Sequence, residues 1–439
     1  MPAKRSWLFY GWIVVAVAFV TVAVGYGIRY SFSVFFVSIL NEFGWSRADT
    51  SLIFSINLLL YGAFGPIAGT MVDKLGPRAV IGFGAFVLAV GTALCSIANA
   101  IWQFYILWGV LMSFGICVLG YVSHTPLISN WFVRRRGTAI GIFGMGLAIS
   151  FSMPTLTQML IDNIGWRPSF LVLAALSGVL VMPLVIAFQR HKPADMGLEP
   201  DGVKQNNAAM SAAKAGQKAL VVNEQWVAVN WTLGRALKTY QVWALFFAMM
   251  SVWGLTVNVI LPHFVAFSTD QGYNKMFATY VYSLYGLVYG VGSLLGVLSD
   301  RIGRERAGFL ASALAATGVL MLILNQGSGT PWALYAYAVF FGLGTGLHTP
   351  NIPAACADLF QGKHLGAIYG FCTFGLGVGG LVGPWLAGYI FDRMHTYTPA
   401  FWMSFVAVIL CSVFVWIARP SRVRVVAGMV PDAKNAPST

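Results

Sequence analysis

A single arginine lies inside a long apolar segment near the start of the sequence. The segment covers residues 7–40, and Arg29 falls within its stretch GYGIRYSFSVFF. Arginine keeps its proton in proteins, and a charge at bilayer depth costs from roughly 3 to more than 10 kcal/mol. A guanidinium also matches a carboxylate through two parallel hydrogen bonds. These properties favour an arginine that binds an anionic small molecule, the alternative being one bonded to backbone carbonyls or tyrosines for structure alone.

Arg29 has no evident counter-ion within the apolar segments. Asp73, Asp300 and Asp358 all fall at segment ends, so we expect Arg29 to face a water-filled cavity in which an anion supplies the missing charge. Tyrosines and asparagines in other apolar segments are candidates for the same cavity because their polar groups need partners there, although an aromatic stripe can equally be packing. The candidate substrate-binding residues are Arg29, Tyr30, Asn57, Tyr61, Tyr121, Asn258, Tyr285, Tyr289 and Tyr369.

Three histidines, His124, His263 and His348, also lie in apolar segments. Histidine titrates near neutral pH, so each is a candidate for carrying a coupled proton. The alternative for each is a neutral hydrogen bond between helices. The motif HTP occurs at 124–126 and again at 348–350, and its proline predicts a kink beside two of the histidines. Of the three we favour His263 or His348.

The composition places these residues in a membrane. The chain is 58% hydrophobic and 9% charged, against roughly 25% charged in a soluble domain. Many apolar segments are long enough to cross a bilayer, and a bare backbone in lipid must be helical. We predict an all-α polytopic membrane protein with twelve transmembrane helices at about 8–40, 50–73, 79–98, 103–129, 137–162, 167–189, 240–268, 277–299, 306–325, 331–357, 364–391 and 398–418.

The basic residues predict the orientation of these helices. The amino terminus, the even-numbered loops and the carboxyl-terminal tail hold 22 of the 27 lysines and arginines. Cytoplasmic loops carry such an excess, so we expect both termini in the cytoplasm and the protein in the inner (cytoplasmic) cell membrane. The net charge of +13 then reports topology and gives little support to nucleic-acid binding.

Neither an enzyme nor a metal site is indicated. The five cysteines lie in predicted spans without metal-ligand spacing, and no nucleophile, base and orienting group share a recognisable pattern. We predict a protein that is not an enzyme, with no cofactor and no metal, and we expect a monomer.

The two halves of the chain repeat one another. GTMVDKLGPR at 69–78 matches GVLSDRIGRE at 296–305, and RGTAIGIFGMG from Arg136 matches LGAIYGFCTFG from Leu365. A recurring offset near half the chain length indicates duplication, and duplicated helical halves are a transporter architecture. The predicted parts are a six-helix half at 1–190, a cytoplasmic linker at 191–238, a second six-helix half at 239–418 and a cytoplasmic tail at 419–439.

The repeated motif resembles the signature between spans two and three of the major facilitator superfamily. Gly69-x-x-x-Asp73-Lys74-x-Gly76-x-Arg78 has its form, and a second copy begins at Gly296. YGW at the start of span one, WFVRRRGTAIGI and KPADMGLEPDG resemble bacterial monocarboxylate and oxalate/formate transporters. The resemblance implies the major facilitator fold with two pseudo-symmetric halves, and a lysine of monocarboxylate transporters falls within one position of Arg29. Many such relatives carry an arginine in span eight, which here has no charge, so the binding geometry of the family is in doubt.

Acidic and basic residues flank the two motif copies. Pairs between them would close the cytoplasmic side and break when it opens, the alternative being that they only fix topology and loop folding. The candidate gating residues are Asp73, Arg78, Arg134, Arg135, Arg136, Asp300, Arg301, Arg304 and Asp358.

A secondary transporter is the function that the sequence predicts. One fixed positive charge suits a monoanion better than a dianion, so we expect a small organic monocarboxylate carried by alternating access with proton symport. The alternatives are anion exchange of the oxalate/formate type, export of amphipathic organic compounds, or a transporter-like membrane receptor. The sequence leaves the identity of the carboxylate and the direction of transport open.

Overall fold

Long apolar helices make up the described part of the chain. The computed structural model describes residues 9–132, 135–200, 221–325, 331–362 and 364–426, apart from the side chains of residues 73, 136 and 137. These residues are helical except for loops and one β-bridge, which confirms the predicted all-α class. In chain order, spans one to twelve are Tyr10–Phe43, Arg47–Val72, Pro77–Cys95, Ile101–Trp131, Thr138–Ile164, Trp166–Phe188, Tyr240–Asp270, Lys275–Ile302, Arg304–Leu324, Pro331–Leu359, Leu365–Met394 and Thr398–Arg422.

Span ten differs from the others in composition. Within the described residues, eleven helices are long and apolar enough to cross a membrane, and Pro331–Leu359 is not counted among them. It is nevertheless a continuous helix of 29 residues, which exceeds the roughly 20 residues that a bilayer requires. Its tyrosines, its glycines and His348 lower its mean hydropathy. The architecture therefore has about twelve helices, as predicted.

Several spans are interrupted rather than straight. Spans four, six and seven contain π-helical stretches at Tyr105–Met112, Leu176–Val181 and Met250–Val257. Span four also breaks at Gly120, whose backbone leaves helical geometry at φ −90° and ψ −158° before a new helix begins at Tyr121. Such interruptions occur often at functional sites. In span one, the helix is interrupted at Ser31, two residues after Arg29.

Two compact units divide the described residues. The first unit takes its residues from Met1–Gln205, Leu261–Leu287 and Pro384–Thr396, and the second from Asn206–Ile260, Val288–Gly383 and Tyr397–Thr439. The first unit therefore includes the carboxyl-terminal parts of spans seven and eleven and the amino-terminal part of span eight. The division of the chain into two six-helix halves stays a prediction.

The described carboxyl-terminal end of the linker belongs to the second unit and packs within it. The backbone N–H groups of Val222 and Asn223 donate to the carbonyl of Val423, at 3.0 and 3.3 Å. The indole of Trp226 donates to the carbonyl of Leu359 at 2.7 Å, the last residue of span ten. The linker and the tail are thus tied to the end of one span.

Candidate functional site

Arg29 is buried near the middle of span one. Its side chain belongs to a residue that is 4% exposed, and no ion pair found among the described residues involves it. The Nε and Nη2 atoms are buried without a hydrogen-bond partner within the described residues. The expectation of an arginine facing water is wrong for this conformation. The expectation of an arginine without a carboxylate partner agrees with it.

Aromatic rings take the place of a counter-ion. The guanidinium carbon lies 4.7 Å from the ring centroid of Tyr61, 5.7 Å from that of Phe54 and 5.9 Å from that of Tyr26. A cation over an aromatic face gains about 0.5–2 kcal/mol. The hydroxyls of Tyr26 and Tyr61 are 2.6 Å apart and hydrogen-bonded, which fixes the two rings relative to one another. We call Tyr26, Phe54 and Tyr61 the aromatic cage.

The aromatic cage leaves the hydrogen-bonding capacity of Arg29 unused. Ring faces attract the positive charge through their quadrupole, but they accept few directed N–H bonds. A buried donor without a partner costs about 1–3 kcal/mol. A carboxylate would satisfy two donors at once and neutralise the charge. The chemistry that this arrangement supports is the binding of a single anionic group.

Other predicted binding residues of the first unit surround this region. Tyr30 packs on Phe151 with ring centroids 4.3 Å apart. Tyr121 meets Tyr26 edge-on at 6.4 Å, and Asn57 donates to the carbonyl of Trp108 at 2.8 Å while its own oxygen is buried without a partner among the described residues.

The predicted binding residues of the later spans divide between the units. Tyr285 belongs to the first unit, where its ring lies 5.1 Å from that of Phe151. Asn258, Tyr289 and Tyr369 belong to the second unit. There Asn258 donates to the carbonyl of Trp253 at 2.8 Å, and the hydroxyl of Tyr289 is hydrogen-bonded at 2.8 Å to Thr349.

The three buried histidines differ in their hydrogen bonds. His263 bonds the carbonyl of Pro384 through Nε2 at 2.9 Å. His348 bonds Ser312 through Nε2 at 3.0 Å and lies 3.9 Å from the sulfur of Cys411 through Nδ1. His124 bonds the carbonyl of Gly120 through Nδ1 at 3.1 Å.

An ion-pair cluster at the start of span two was absent from the sequence predictions. Arg47 forms a two-pronged pair with Asp270, at 2.7 and 2.9 Å, and its guanidinium lies 3.7 Å from the ring centroid of Phe391. The carboxylate of Asp392 accepts the backbone N–H groups of Arg47 and Ala48, at 3.0 and 2.8 Å. We call Arg47, Asp270 and Asp392 the odd-loop cluster, because they join loop 1 to the ends of spans seven and eleven.

The predicted gating residues are partly assembled around Arg304. Its guanidinium pairs with Asp358 at 2.9 Å and with Asp300 at 2.6 Å, all within the second unit. Arg78, Arg135 and Arg301 are exposed. Arg134 lies outside the described residues, as do the side chains of Asp73 and Arg136.

Two sets of residues at the candidate sites were not predicted from the sequence. Phe54 and Tyr26 of the aromatic cage were overlooked, although Tyr26 lies three residues before Arg29 and shares its helix face. The sequence gives less indication of the odd-loop cluster. Arg47, Asp270 and Asp392 are all loop-end residues, and only the fold shows that they meet.

Comparisons with known proteins agree with this architecture. Human monocarboxylate transporter 2 is 25% identical over 430 residues, covering 97% of this chain and 88% of the relative. Monocarboxylate transporter 13 of Rattus norvegicus is 27% identical over 425 residues, covering 91% and 86%. The sequence matches the Major Facilitator Superfamily over residues 16–340 and 293–437. With twelve helices, a repeated loop motif and a match along most of its length, the chain belongs to the Major Facilitator Superfamily of transporters.

Proposed function

We propose that this protein is a secondary transporter of small organic monocarboxylates, working by alternating access with a coupled proton. The guanidinium of Arg29, which is buried and has neither an ion pair nor a hydrogen bond to Nε or Nη2 among the described residues, is the observation that carries the proposal. The relatives named monocarboxylate transporters support it. One carboxylate neutralises the single positive charge of Arg29, and a second carboxylate would find no cation at this site. The site therefore favours monocarboxylates over dicarboxylates.

Arg29 is shielded from solvent in this structure, so the anion would reach it in another conformation of the transport cycle. The aromatic cage would hold the guanidinium until then. When the anion binds, the two unpaired nitrogens gain acceptors and the net charge of the site falls to zero. Binding and conformational change are then linked, because the anion stabilises only those conformations in which it reaches Arg29.

Proton coupling is the second part of the proposal. A monoanion that moves together with a proton carries no net charge, so the membrane potential would barely oppose its uptake. We place the protein in the cytoplasmic membrane with both termini in the cytoplasm, on the charge distribution of its loops. Anion exchange is the competing mode, since it needs no titratable group.

Thermal unfolding of the purified protein tests the anion site. Formate, pyruvate, L-lactate and benzoate would be compared with oxalate and succinate, on wild type, Arg29→Gln and Arg29→Lys. A ligand of the folded state raises the melting temperature by mass action. We expect at least one monocarboxylate to stabilise wild type, Arg29→Lys to respond weakly because it keeps the charge without the fork, and Arg29→Gln not to respond.

Two outcomes would refute the proposal. If Arg29→Gln is folded and responds to the panel as wild type does, Arg29 is structural. If the ligands bind but proteoliposomes show no flux, the chain is a receptor rather than a transporter.

A further inference from the structure

We propose that His124 carries the coupled proton, an inference that rests on the proposed function. Sequence reasoning favoured His263 or His348. The hydrogen bonds of the three histidines favour His124, because it combines a fixed tautomer with a buried nitrogen that nothing in the described structure uses.

The tautomer of His124 follows from its partner. Nδ1 lies 3.1 Å from the carbonyl oxygen of Gly120. A carbonyl oxygen only accepts hydrogen bonds, so Nδ1 carries the hydrogen and Nε2 holds the lone pair. His124 is fully buried, and Nε2 is the one histidine nitrogen recorded as buried without a hydrogen-bond partner among the described residues. The lone pair of Nε2 is therefore not engaged in a hydrogen bond within the described residues, and a proton would reach this buried nitrogen in another conformation of the transport cycle.

The other two buried histidines bond neighbouring helices, His263 through Nε2 and His348 through both ring nitrogens. His263 of span seven is bonded to the carbonyl of Pro384 in span eleven. His348 lies between Ser312 of span nine and Cys411 of span twelve, with one partner at each nitrogen. Protonating either histidine would change a hydrogen-bonded contact that holds two helices together.

A short path connects His124 to the proposed anion site. The Gly120 carbonyl that accepts from His124 belongs to the break in span four. A Cβ placed on Gly120 would lie 3.0 Å from the hydroxyl of Tyr26, so this hydroxyl packs against the break. Tyr26 is hydrogen-bonded to Tyr61, whose ring lies under Arg29. All these residues belong to the first unit.

A second path through aromatic rings runs beside the first. The imidazole of His124 stacks on Phe143 at 5.5 Å. Phe143 meets Tyr121 at 4.8 Å, and Tyr121 meets Tyr26 edge-on. The titratable or charged groups along the two paths are thus the phenols of Tyr26, Tyr61 and Tyr121 and the cation Arg29, and the described residues place no carboxylate in hydrogen-bond contact with His124.

This arrangement couples the proton to the anion electrostatically. Without an anion, protonating His124 would add a second positive charge to the bundle that already holds Arg29. With a monocarboxylate on Arg29, the same proton leaves a total charge of +1. Each ligand therefore favours the other, and the effect is reciprocal. A proton from the aqueous phase on one side of the membrane adds to the Nε2 lone pair and gives an imidazolium. The proton then leaves the same nitrogen to the aqueous phase on the other side of the membrane.

Proteoliposomes containing a pH-sensitive dye and radiolabelled pyruvate test the inference. The readout is the ratio of protons to pyruvate taken up, which does not depend on how many molecules are active. His124→Asn keeps a donor near the position of Nδ1 and removes the basic nitrogen. We expect this variant to lose at least about nine-tenths of the proton-to-pyruvate ratio while still exchanging internal for external pyruvate. His348→Asn, the matched change in the second HTP, should keep the wild-type ratio.

The outcomes separate the inference from the proposed function. If wild type neither binds nor moves monocarboxylates, the proposed function fails. If wild type moves pyruvate without protons, the proton-coupling part of the proposed function fails together with the inference, and monocarboxylate transport stands. If His124→Asn keeps the wild-type ratio, only the inference fails. Where His124→Asn is not recovered folded, His124→Gln is measured in the same way, and a wild-type ratio in that variant equally overturns the inference.

Discussion

The ring of Tyr61 lies under the guanidinium of Arg29, with 4.7 Å between the ring centroid and the guanidinium carbon. The guanidinium carbon lies over the face of the ring, and the Nε and Nη2 donors of Arg29 have no hydrogen-bond partner among the described residues. The ring attracts the positive charge, whereas a carboxylate would accept hydrogen bonds from these donors. Tyr61 can hold Arg29 in a fixed orientation both before and after an anion arrives, and its hydrogen bond to Tyr26 holds the ring in turn.

Replacing Tyr61 separates the ring from the hydroxyl. Tyr61→Leu removes the contact with the ring and lets the guanidinium rotate. Part of the free energy of anion binding is then used to order the Arg29 side chain. A flexible side chain loses up to about 2 kcal/mol of entropy, and we expect anion affinity to fall about tenfold. Tyr61→Phe keeps the ring and should stay within about threefold of wild type, because the lost hydroxyl pair is worth about 0.5–1.5 kcal/mol and acts indirectly. The measurement is the anion dependence of the melting temperature.

A matched variant excludes a general packing defect. Phe54→Leu removes another ring of the cage, 5.7 Å from the guanidinium carbon, and should weaken anion binding less than Tyr61→Leu. Equal affinities in Tyr61→Leu and wild type would show that the face contact does not position Arg29.

The odd-loop cluster is predicted to hold loop 1 against the ends of spans seven and eleven, and a single substitution in it should weaken this contact. Arg47 is paired with Asp270 at 17% and 34% side-chain exposure, so the pair contributes about 1 kcal/mol. Arg47→Gln should raise by about fivefold the fraction of molecules in which loop 1 has separated from the ends of spans seven and eleven. Thr269 lines a cavity of about 390 Å³ beside the pair, so a Thr269→Cys background reports opening through its reaction rate with a membrane-impermeant maleimide.

The charge swap is the control for this measurement. Arg47→Asp together with Asp270→Arg should bring the maleimide rate of Thr269→Cys back toward wild type, although the swapped arginine loses its place over Phe391. The native cysteines are all free and buried, which keeps the background low. A maleimide rate that does not change in Arg47→Gln would show that the pair does not hold this contact closed.

The fold was more predictable than the site. Segment length and hydropathy specify transmembrane helices almost by themselves, since a bilayer leaves the backbone no alternative. The burial of Arg29 was different. A single charge in an apolar span suggested a water-filled cavity, but three aromatic residues from two spans shield it instead. Contacts between distant segments such as Arg47 and Asp270 depend on how helices pack, which hydropathy does not encode.

A close helix crossing in the second unit predicts a sharp difference between two glycines. A Cβ on Gly254 would lie 2.6 Å from Cα of Gly379, and backbone cannot move aside as a side chain can. Gly254→Ala should therefore destabilise the protein by about 1–3 kcal/mol. Gly370→Ala has nothing within 4 Å of the new Cβ and should be neutral or stabilising by up to about 1 kcal/mol. Thermal unfolding of both variants checks the contrast, and equal losses would contradict it.

Asp358 and Asp300 bind the same arginine in different surroundings, and this predicts unequal costs. The side chain of Asp358 is 21% exposed and that of Asp300 is 57% exposed, while that of Arg304 is 12% exposed. Removing Asp358 takes away the shielded partner and leaves Arg304 only the exposed Asp300, whereas water already screens the pair with Asp300. Asp358→Asn should lower the free energy of unfolding by about 1–3 kcal/mol. Asp300→Asn should lower it by less than about 1 kcal/mol, because water already solvates the Asp300 carboxylate.

The native thiols provide the measurement for this comparison. All five native cysteines are buried and Cys356 lies two residues before Asp358, so a fluorogenic maleimide reports when unfolding exposes these thiols. We expect its half-reaction temperature to fall more in Asp358→Asn than in Asp300→Asn. Arg304→Gln should resemble Asp358→Asn, because it breaks the same shielded pair and leaves the Asp358 carboxylate without its cation. A larger fall in Asp300→Asn would show that the exposed pair between spans eight and nine stabilises this region more than the shielded pair between spans nine and ten.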